Sequence, residues 1–252
     1  MKITFLGTGT STGVPLIGCN CPVCRSQDPH DHRLRTSLLM ETKQTRILLD
    51  CGPDFRQQIL PLPFRPIHAV LITHEHYDHM GGLDDLRPFC AFAPIDVYAL
   101  QRTCQQIRAN LPYCFKEHKY PGVPLLNLHA IKPHETFNTG EMRITPILVM
   151  HAHLPILGFR VNNAAYITDM SSINNDELPY LQGLDLLVVN GLRHQPHYSH
   201  QTIEQACAFA AQLKVPQTFI VHMSHHINLH AVENTMLPKG IRLAYDGQTV
   251  EI

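Results

Sequence analysis

Four of the six residues in His74-Glu75-His76-Tyr77-Asp78-His79 can bind a metal ion. Imidazole and carboxylate together suit zinc, manganese, iron or nickel, and supply decides among these in a cell. His74 and His76 are two apart, so in an extended segment they point the same way. Asp78 and His79 follow where the chain turns toward a helix, and Gly81-Gly82 comes next. One short loop therefore offers two imidazoles to one ion, and a carboxylate and an imidazole to a neighbour. Two ions about 4 Å apart lower the pKa of a shared water, hold a phosphoryl or carbonyl oxygen and offset charge on a leaving group. That chemistry is hydrolysis. The plain alternative is a His-rich surface loop without function. Directly behind the apolar run Val70-Leu71-Ile72, such a density of polar donors would be costly without a partner.

A second cluster lies near the N-terminus, in Gly18-Cys19-Asn20-Cys21-Pro22-Val23-Cys24. Three thiolates within six residues can fill three corners of a tetrahedron, and structural zinc wants a fourth. A Cys21–Cys24 redox pair is the rival reading. Cys19 has no use in a simple disulfide and no helix opens at the motif, so zinc is the better account. Cys51, Cys90, Cys104, Cys114 and Cys207 are scattered, as buried thiols are in a reducing compartment.

Groups of this kind need rigid elements behind them. Short apolar runs bounded by Gly, Pro, Asn or Asp predict strands at Ile3–Leu6, Leu34–Met40, Ile47–Leu49, Ala69–Ile72, Asp96–Ala99 and Leu125–His129. Others fall at Met142–Val149, Gly158–Val161, Ala165–Thr168, Leu186–Val189, Thr218–Val221 and Ile241–Ala244. Asn162-Asn163 reads as a hairpin turn. Helices are expected over Phe55–Leu60, Arg102–Asn110, Ile203–Leu213 and Asn228–Leu237. The third opens with the capping-box pattern Thr202-Ile203-Glu204-Gln205. Strands come early and helices late in each half, which fits two sheets with helices outside better than strict βαβ alternation. The expected core includes Leu6, Leu49, Leu71, Ile72, Ile167, Val188, Val189 and Ile220.

Composition narrows the function classes. The 252 residues, 44% of them hydrophobic and 16% charged, suit a folded domain rather than a disordered chain. Histidine, at 18 against 14 glycines, is the unusual count and points to metal. A formal net charge of −1 argues against a general electrostatic grip on nucleic acid. No run approaches the roughly 20 apolar residues that span a bilayer, and the N-terminus does not read as a signal peptide, so the expected location is cytoplasmic. A Gly-x-Ser-x-Gly elbow and a Gly-x-x-x-x-Gly-Lys loop are both missing, and Gly7-Thr8-Gly9 reads as a tight turn.

His-x-His-x-Asp-His, here His74-Glu75-His76-Tyr77-Asp78-His79, resembles the signature of the metallo-β-lactamase superfamily. The similarity extends to Phe5-Leu6-Gly7-Thr8-Gly9-Thr10 and Leu48-Leu49-Asp50-Cys51-Gly52. It implies one αββα sandwich domain over residues 1–252, with the cysteine insert at about 18–30. It also implies a dinuclear centre of two divalent ions (Mn, Zn, Fe or Ni). Its ligands would be His74, His76, Asp78, His79, His151, Asp169 and His222, with Asp169 bridging and Asp50 orienting a ligand histidine. His153 competes with His151, which is preferred because it directly follows its strand.

The cysteine motif further resembles a PhnP-like phosphodiesterase branch, related to tRNase Z. In that branch a histidine just after the last ligand completes a structural zinc. The candidates here are His225 and His226, and His225 is chosen to join Cys19, Cys21 and Cys24. The same resemblance implies His200 as proton donor to the leaving group, with Asp78 helping to handle the proton of the attacking water. The plain reading of His194, His197 and His200 is as loop residues. The implied function is hydrolysis of small phosphodiesters, cyclic ones included, through a metal-bridging hydroxide, in a homodimer. Lactone or thioester hydrolysis and a tRNase Z-like ribonuclease are the alternatives. No basic, Gly/Pro-rich insertion offers the RNA-gripping arm of the latter. An inactive zinc-binding interaction protein is the alternative from another class, but every expected ligand is present.

Overall fold

Most strands carry apolar side chains on both faces, so each sheet must be covered on both sides. The computed structural model describes residues 1–118 and 120–252 and forms two seven-stranded sheets. β1 (Lys2–Gly7), β2 (Ser37–Glu41) and β3 (Arg46–Leu49) make an antiparallel meander. The chain continues through α1 (Phe55–Ile59), β4 (Ala69–Leu71), α2 (Tyr77–Met80), β5 (Ile95–Ala99), α3 (Gln101–Asn110) and β6 (Leu126–Ala130). From β3 to β6 the pairing is parallel.

In the second sheet β7 (Phe137–Thr139), β8 (Met142–His151), β9 (Leu154–Val161) and β10 (Ala164–Ile167) pair antiparallel. β11 (Leu186–Asn190), α4 (Ile203–Leu213), β12 (Gln217–Val221), α5 (His230–Met236) and β13 (Ile241–Leu243) follow, with β10 to β13 parallel. β14 (Thr249–Glu251) returns to pair with β1.

Alternation along the strands assigns the layers. Ile47, Leu49, Ala69 and Leu71 of the first sheet meet Leu157, Phe159, Tyr166 and Val188 of the second in one buried core. Leu48 and Val70 face the other way, onto Phe55 and Ile59 of α1 and Ile107 of α3. Ile167, Val189 and Ile220 face Ile203, Ala206 and Ala210 of α4. This is the αββα sandwich, and all eight expected core residues are buried. Thr202 caps α4 as its pattern requires: its side chain accepts from Gln205 N, and the Gln205 side chain accepts from Thr202 N. The strands β7 and β14 have no sequence counterpart above; both are three-residue edge strands without apolar alternation. Asn162 makes the β9–β10 turn with a φ of 52°.

Candidate metal centre

The sequence-predicted donors come from loops at strand ends on one edge of the sandwich. His74 follows β4, His151 ends β8, Asp169 follows β10 and His222 follows β12. Asp78 and His79 lie in α2, whose first turn begins after His76. Asp50, Asp169 and His222 adopt left-handed backbone, with φ of 59°, 56° and 57°. Non-glycine residues seldom do so, and such outliers gather at functional sites. Close packing sets the loop as well. A Cβ on Gly52 would lie 2.1 Å from the Asp78 carbonyl oxygen, so only glycine lets α2 sit this close to the end of β3.

The donor atoms converge. His74 Nε2 is 2.9 Å from His76 Nδ1, and the His76 and His151 rings are 5.2 Å apart. His79 Nε2 and His222 Nε2 each lie 3.2 Å from Asp169 Oδ1. Asp78 Oδ2 is 3.2 Å from His79 Nε2 and 3.6 Å from His222 Nε2. The other Asp169 oxygen, Oδ2, lies 3.9 Å from His74 Nε2. Asp169 therefore presents one oxygen to His79 and His222, and the other to His74. A carboxylate shared between two ions would do the same.

Two ligand atoms about 2.1 Å from a tetrahedral ion are about 3.4 Å apart, close to these separations. His79 Nε2 and both ring nitrogens of His222 are buried without a hydrogen-bond partner among the described residues. Buried polar atoms seldom stay unpaired, so the free nitrogens at this edge fit a cation better than a hydrogen-bond donor. Charge says the same. Burial would lower His79, yet Asp78, Asp169 and Asp50 raise it well above the usual imidazole range. Burial would raise Asp78 and Asp169, yet the neighbouring imidazoles hold both far below the usual carboxylate range. Burial holds His74 well below its ordinary value, so it stays neutral, as a ligand must.

Hydrogen bonds set the tautomers. His79 Nδ1 donates to Asp50 Oδ2 at 2.8 Å, and His151 Nδ1 donates to the Asp169 carbonyl at 2.8 Å. The Thr73 hydroxyl donates to Asp50, 3.0 Å from Oδ1, so it accepts from His74 Nδ1 at 2.9 Å. The Nε2 atoms of His74, His79 and His151 are thereby left free for an ion. Asp50 also accepts from Thr73 N at 2.9 Å and Tyr166 OH at 2.9 Å.

His153 is exposed on the turn after β8, so His151 is the histidine brought to the cluster. His200 comes closer than a residue beyond the ligands would. Its ring is 4.8 Å from that of His151 and 4.9 Å from that of His222, and its Nδ1 lies 3.9 Å from Asp169 Oδ2. Burial pushes it down to about 3. His197 stands behind it, ring to ring at 5.1 Å.

The four residues Cys19, Cys21, Cys24 and His225 form a separate group with donor atoms within 4.8 Å of one another. His225 Nδ1 is 3.2 Å from Cys19 Sγ and 3.4 Å from Cys21 Sγ. Cys21 and Cys24 are not joined in a disulfide, and His226 is outside the group. Against burial, hydrogen bonds from Cys24 N and His225 bring the Cys21 thiol down to about 6.

Sequence reasoning missed three supporting residues: Tyr166, Arg102 and Thr103. Tyr166 reaches Asp50 from the facing sheet, while Arg102 and Thr103 hold Glu75. Their partners are 27 or more residues away, beyond the reach of any local pattern.

An αββα sandwich with clustered imidazoles and carboxylates at its strand ends defines a fold whose donor set could hold metal ions. The chain belongs to the beta-lactamase superfamily domain family, whose model matches residues 45–223. Members are mostly metal-dependent hydrolases, and the fold typically binds divalent metals such as zinc. A crystal structure of a diphosphatase from the PhnP family superposes with a TM-score of 0.92 at 38% identity, covering 100% of this chain and 96% of that one. An octanoyltransferase of Porphyromonas gingivalis is 48% identical over 249 residues, 98% of this chain but 51% of that protein. A ribonuclease Z of Thermosynechococcus vestitus is 32% identical over 167 residues, 64% of this chain and 36% of that protein. The chain thus spans about half the length of the first curated relative and about a third of the second. Among the described residues no helix is long and apolar enough to cross a membrane.

Proposed function

We propose that the chain is a dinuclear-metal hydrolase of small phosphodiesters. The observation that carries this is the divided carboxylate of Asp169, with His79 and His222 at one oxygen and His74 at the other. On this reading His74, His76 and His151 would hold one ion, Asp78, His79 and His222 would hold the second, and Asp169 would offer one carboxylate oxygen to each. When bound, such a pair activates water and neutralises charge on a phosphoryl group. The chain's own residues do the rest. Asp50 fixes the tautomers of His79 and, through Thr73, of His74. Asp78, 3.2 Å from His79 Nε2 and 3.6 Å from His222 Nε2, takes part in handling the proton of the attacking water. His200, beside His151 and His222, is placed to donate to the departing oxygen; burial favours its neutral form, so it acts through its ring N–H as charge builds on that oxygen. Cys19, Cys21, Cys24 and His225 hold a structural zinc that ties the N-terminal loop to the loop bearing His222.

A diphosphate linkage is the second reading, favoured by the diphosphatase relative at 38% identity over the whole chain. Both substrates present a phosphorus centre to the same chemistry. Octanoyl transfer is not carried over, because half of that relative lies outside the match.

The test is hydrolysis of a chromogenic phosphodiester and of a nucleoside diphosphate diester after chelation and reloading with Mn²⁺, beside Asp78→Ala. Turnover that needs both metal and Asp78 supports the proposal, and the preferred substrate chooses between diester and diphosphate. No turnover by protein shown to hold two ions at this centre, besides the zinc of the cysteine group, would sink it and favour lactones or thioesters.

A further inference from the structure

Glu75 stands between two candidate ligands, His74 and His76, yet its side chain turns away from them. Its two oxygens are taken by the first turn of α3: Arg102 Nε donates to Oε1 at 2.8 Å and Thr103 Oγ1 donates to Oε2 at 2.8 Å. A carboxylate at a helix N-terminus is also favoured by the helix dipole. The Thr103 side chain is buried, and Arg102 and Glu75 are partly covered, with side-chain exposures of 31% and 22%.

Arg102 goes further. Its Nη2 donates to the carbonyl of Pro155 on β9. Pro155 stands opposite Met150 in the β8–β9 register, and the next pair is His151 with Leu154. One guanidinium thus joins the loop that carries His76 in the first sheet to the hairpin that carries His151 in the second. A nearby backbone bond, Leu157 N to Thr73 O at 3.0 Å, joins the same two segments behind His74. The rings of His76 and His151 meet edge-on, with centroids 5.2 Å apart. Asp78, His79 and His222 have no contact with Glu75 or Arg102 among those the structure shows.

We infer that Arg102, acting through Glu75 and the Pro155 carbonyl, is a positioning residue for one ion of the pair, the one held by His74, His76 and His151. This rests on the two-ion reading above. The fork matters because the Nε and Nη2 donors serve different segments in fixed geometry, which a lysine ammonium cannot reproduce. Loss of the bridge frees the two sides of that site to drift apart, while the other site keeps its ligands and Asp50.

The experiment is equilibrium dialysis against graded Co²⁺, with the visible absorption of bound cobalt recorded for the full chain and for Arg102→Ala, Arg102→Lys and Glu75→Gln. Circular dichroism and retained zinc at the cysteine group establish that each variant folds. The expected result is a loss of about 10–100-fold in affinity for one ion only, with one set of absorption bands weakened and the other unchanged. Lysine should rescue little of it, and Glu75→Gln should fall between wild type and alanine. Equal weakening of both ions, or two ions bound as tightly as in the wild type, would overturn the inference. Failure of the wild-type chain to bind two ions would instead overturn the two-ion reading itself.

Discussion

Replacing Asp50 by asparagine tests how the second ion is held. The carboxylate is fully buried and accepts four hydrogen-bonding groups: Thr73 N, Thr73 Oγ1, Tyr166 OH and His79 Nδ1. Asparagine retains one acceptor oxygen, which the two Thr73 donors claim, and presents an NH₂ to His79 and Tyr166. The tyrosine hydroxyl can turn and accept. His79 cannot satisfy an N–H against an N–H, so its proton moves to Nε2. That is the atom 3.2 Å from both Asp78 and Asp169, and once protonated it cannot bind a metal. Forcing the productive tautomer leaves a buried donor unsatisfied, at about 1–3 kcal/mol. This corresponds to roughly 5–150-fold in affinity, and it falls on the ion that Asp78, His79 and His222 are proposed to hold. Backbone strain does not confuse the result, because asparagine tolerates the left-handed conformation at φ 59°. Tyr166→Phe is the control: it removes one hydrogen bond to Asp50 without altering the tautomer, and should lower stability by about 1 kcal/mol while leaving metal affinity nearly intact. The assay is metal titration of chelated protein, followed by thermal unfolding. Asp50→Asn protein that binds both ions within about twofold of the wild type would refute the tautomer argument.

Other perturbations follow from the packing. Gly52→Ala sets a methyl group 2.1 Å from the Asp78 carbonyl, so α2 must shift; a loss of about 1–3 kcal/mol in urea unfolding and weaker metal binding are expected together. Thr202→Ala removes the cap of α4 and should cost about 1 kcal/mol, seen as a fall of about 2–4 °C in melting temperature. Cys21→Ser should release one zinc per chain, measured by elemental analysis, and loosen the loop that follows His222 before the dinuclear site is emptied.

The sequence made the chemistry-bearing parts of this chain unusually legible. Ligand loops follow strands that are apolar on both faces, so Val70-Leu71-Ile72 and Phe219-Ile220-Val221 could be recognised without knowing their neighbours. Capping of α4 was legible because Thr202 and Gln205 interact locally. What stayed hidden is what depends on distant pairing. The strands β7 and β14 are short edges that exist because β8 and β1 offer them partners. Glu75 reads as a spacer between two histidines, and nothing local says that α3 will take both its oxygens. The position of His200 against the ring of His222 likewise depends on the fold of the 191–202 segment rather than on spacing.

The hidden contacts divide in an instructive way. Asp50 and Tyr166 support the His79 side of the centre, and Glu75, Arg102 and Thr103 support the His76 and His151 side. The two supports share no residue, and only Thr73, which passes from Asp50 to His74, leads from one toward the other. Substitutions more than one contact apart usually act independently. Asp50→Asn and Arg102→Ala should therefore each weaken a different ion, and the double variant should lose both with nearly additive effects in free energy. A double variant no worse than either single one would mean that the centre loads as a unit, with Asp169 coupling the ions more strongly than the protein separates them.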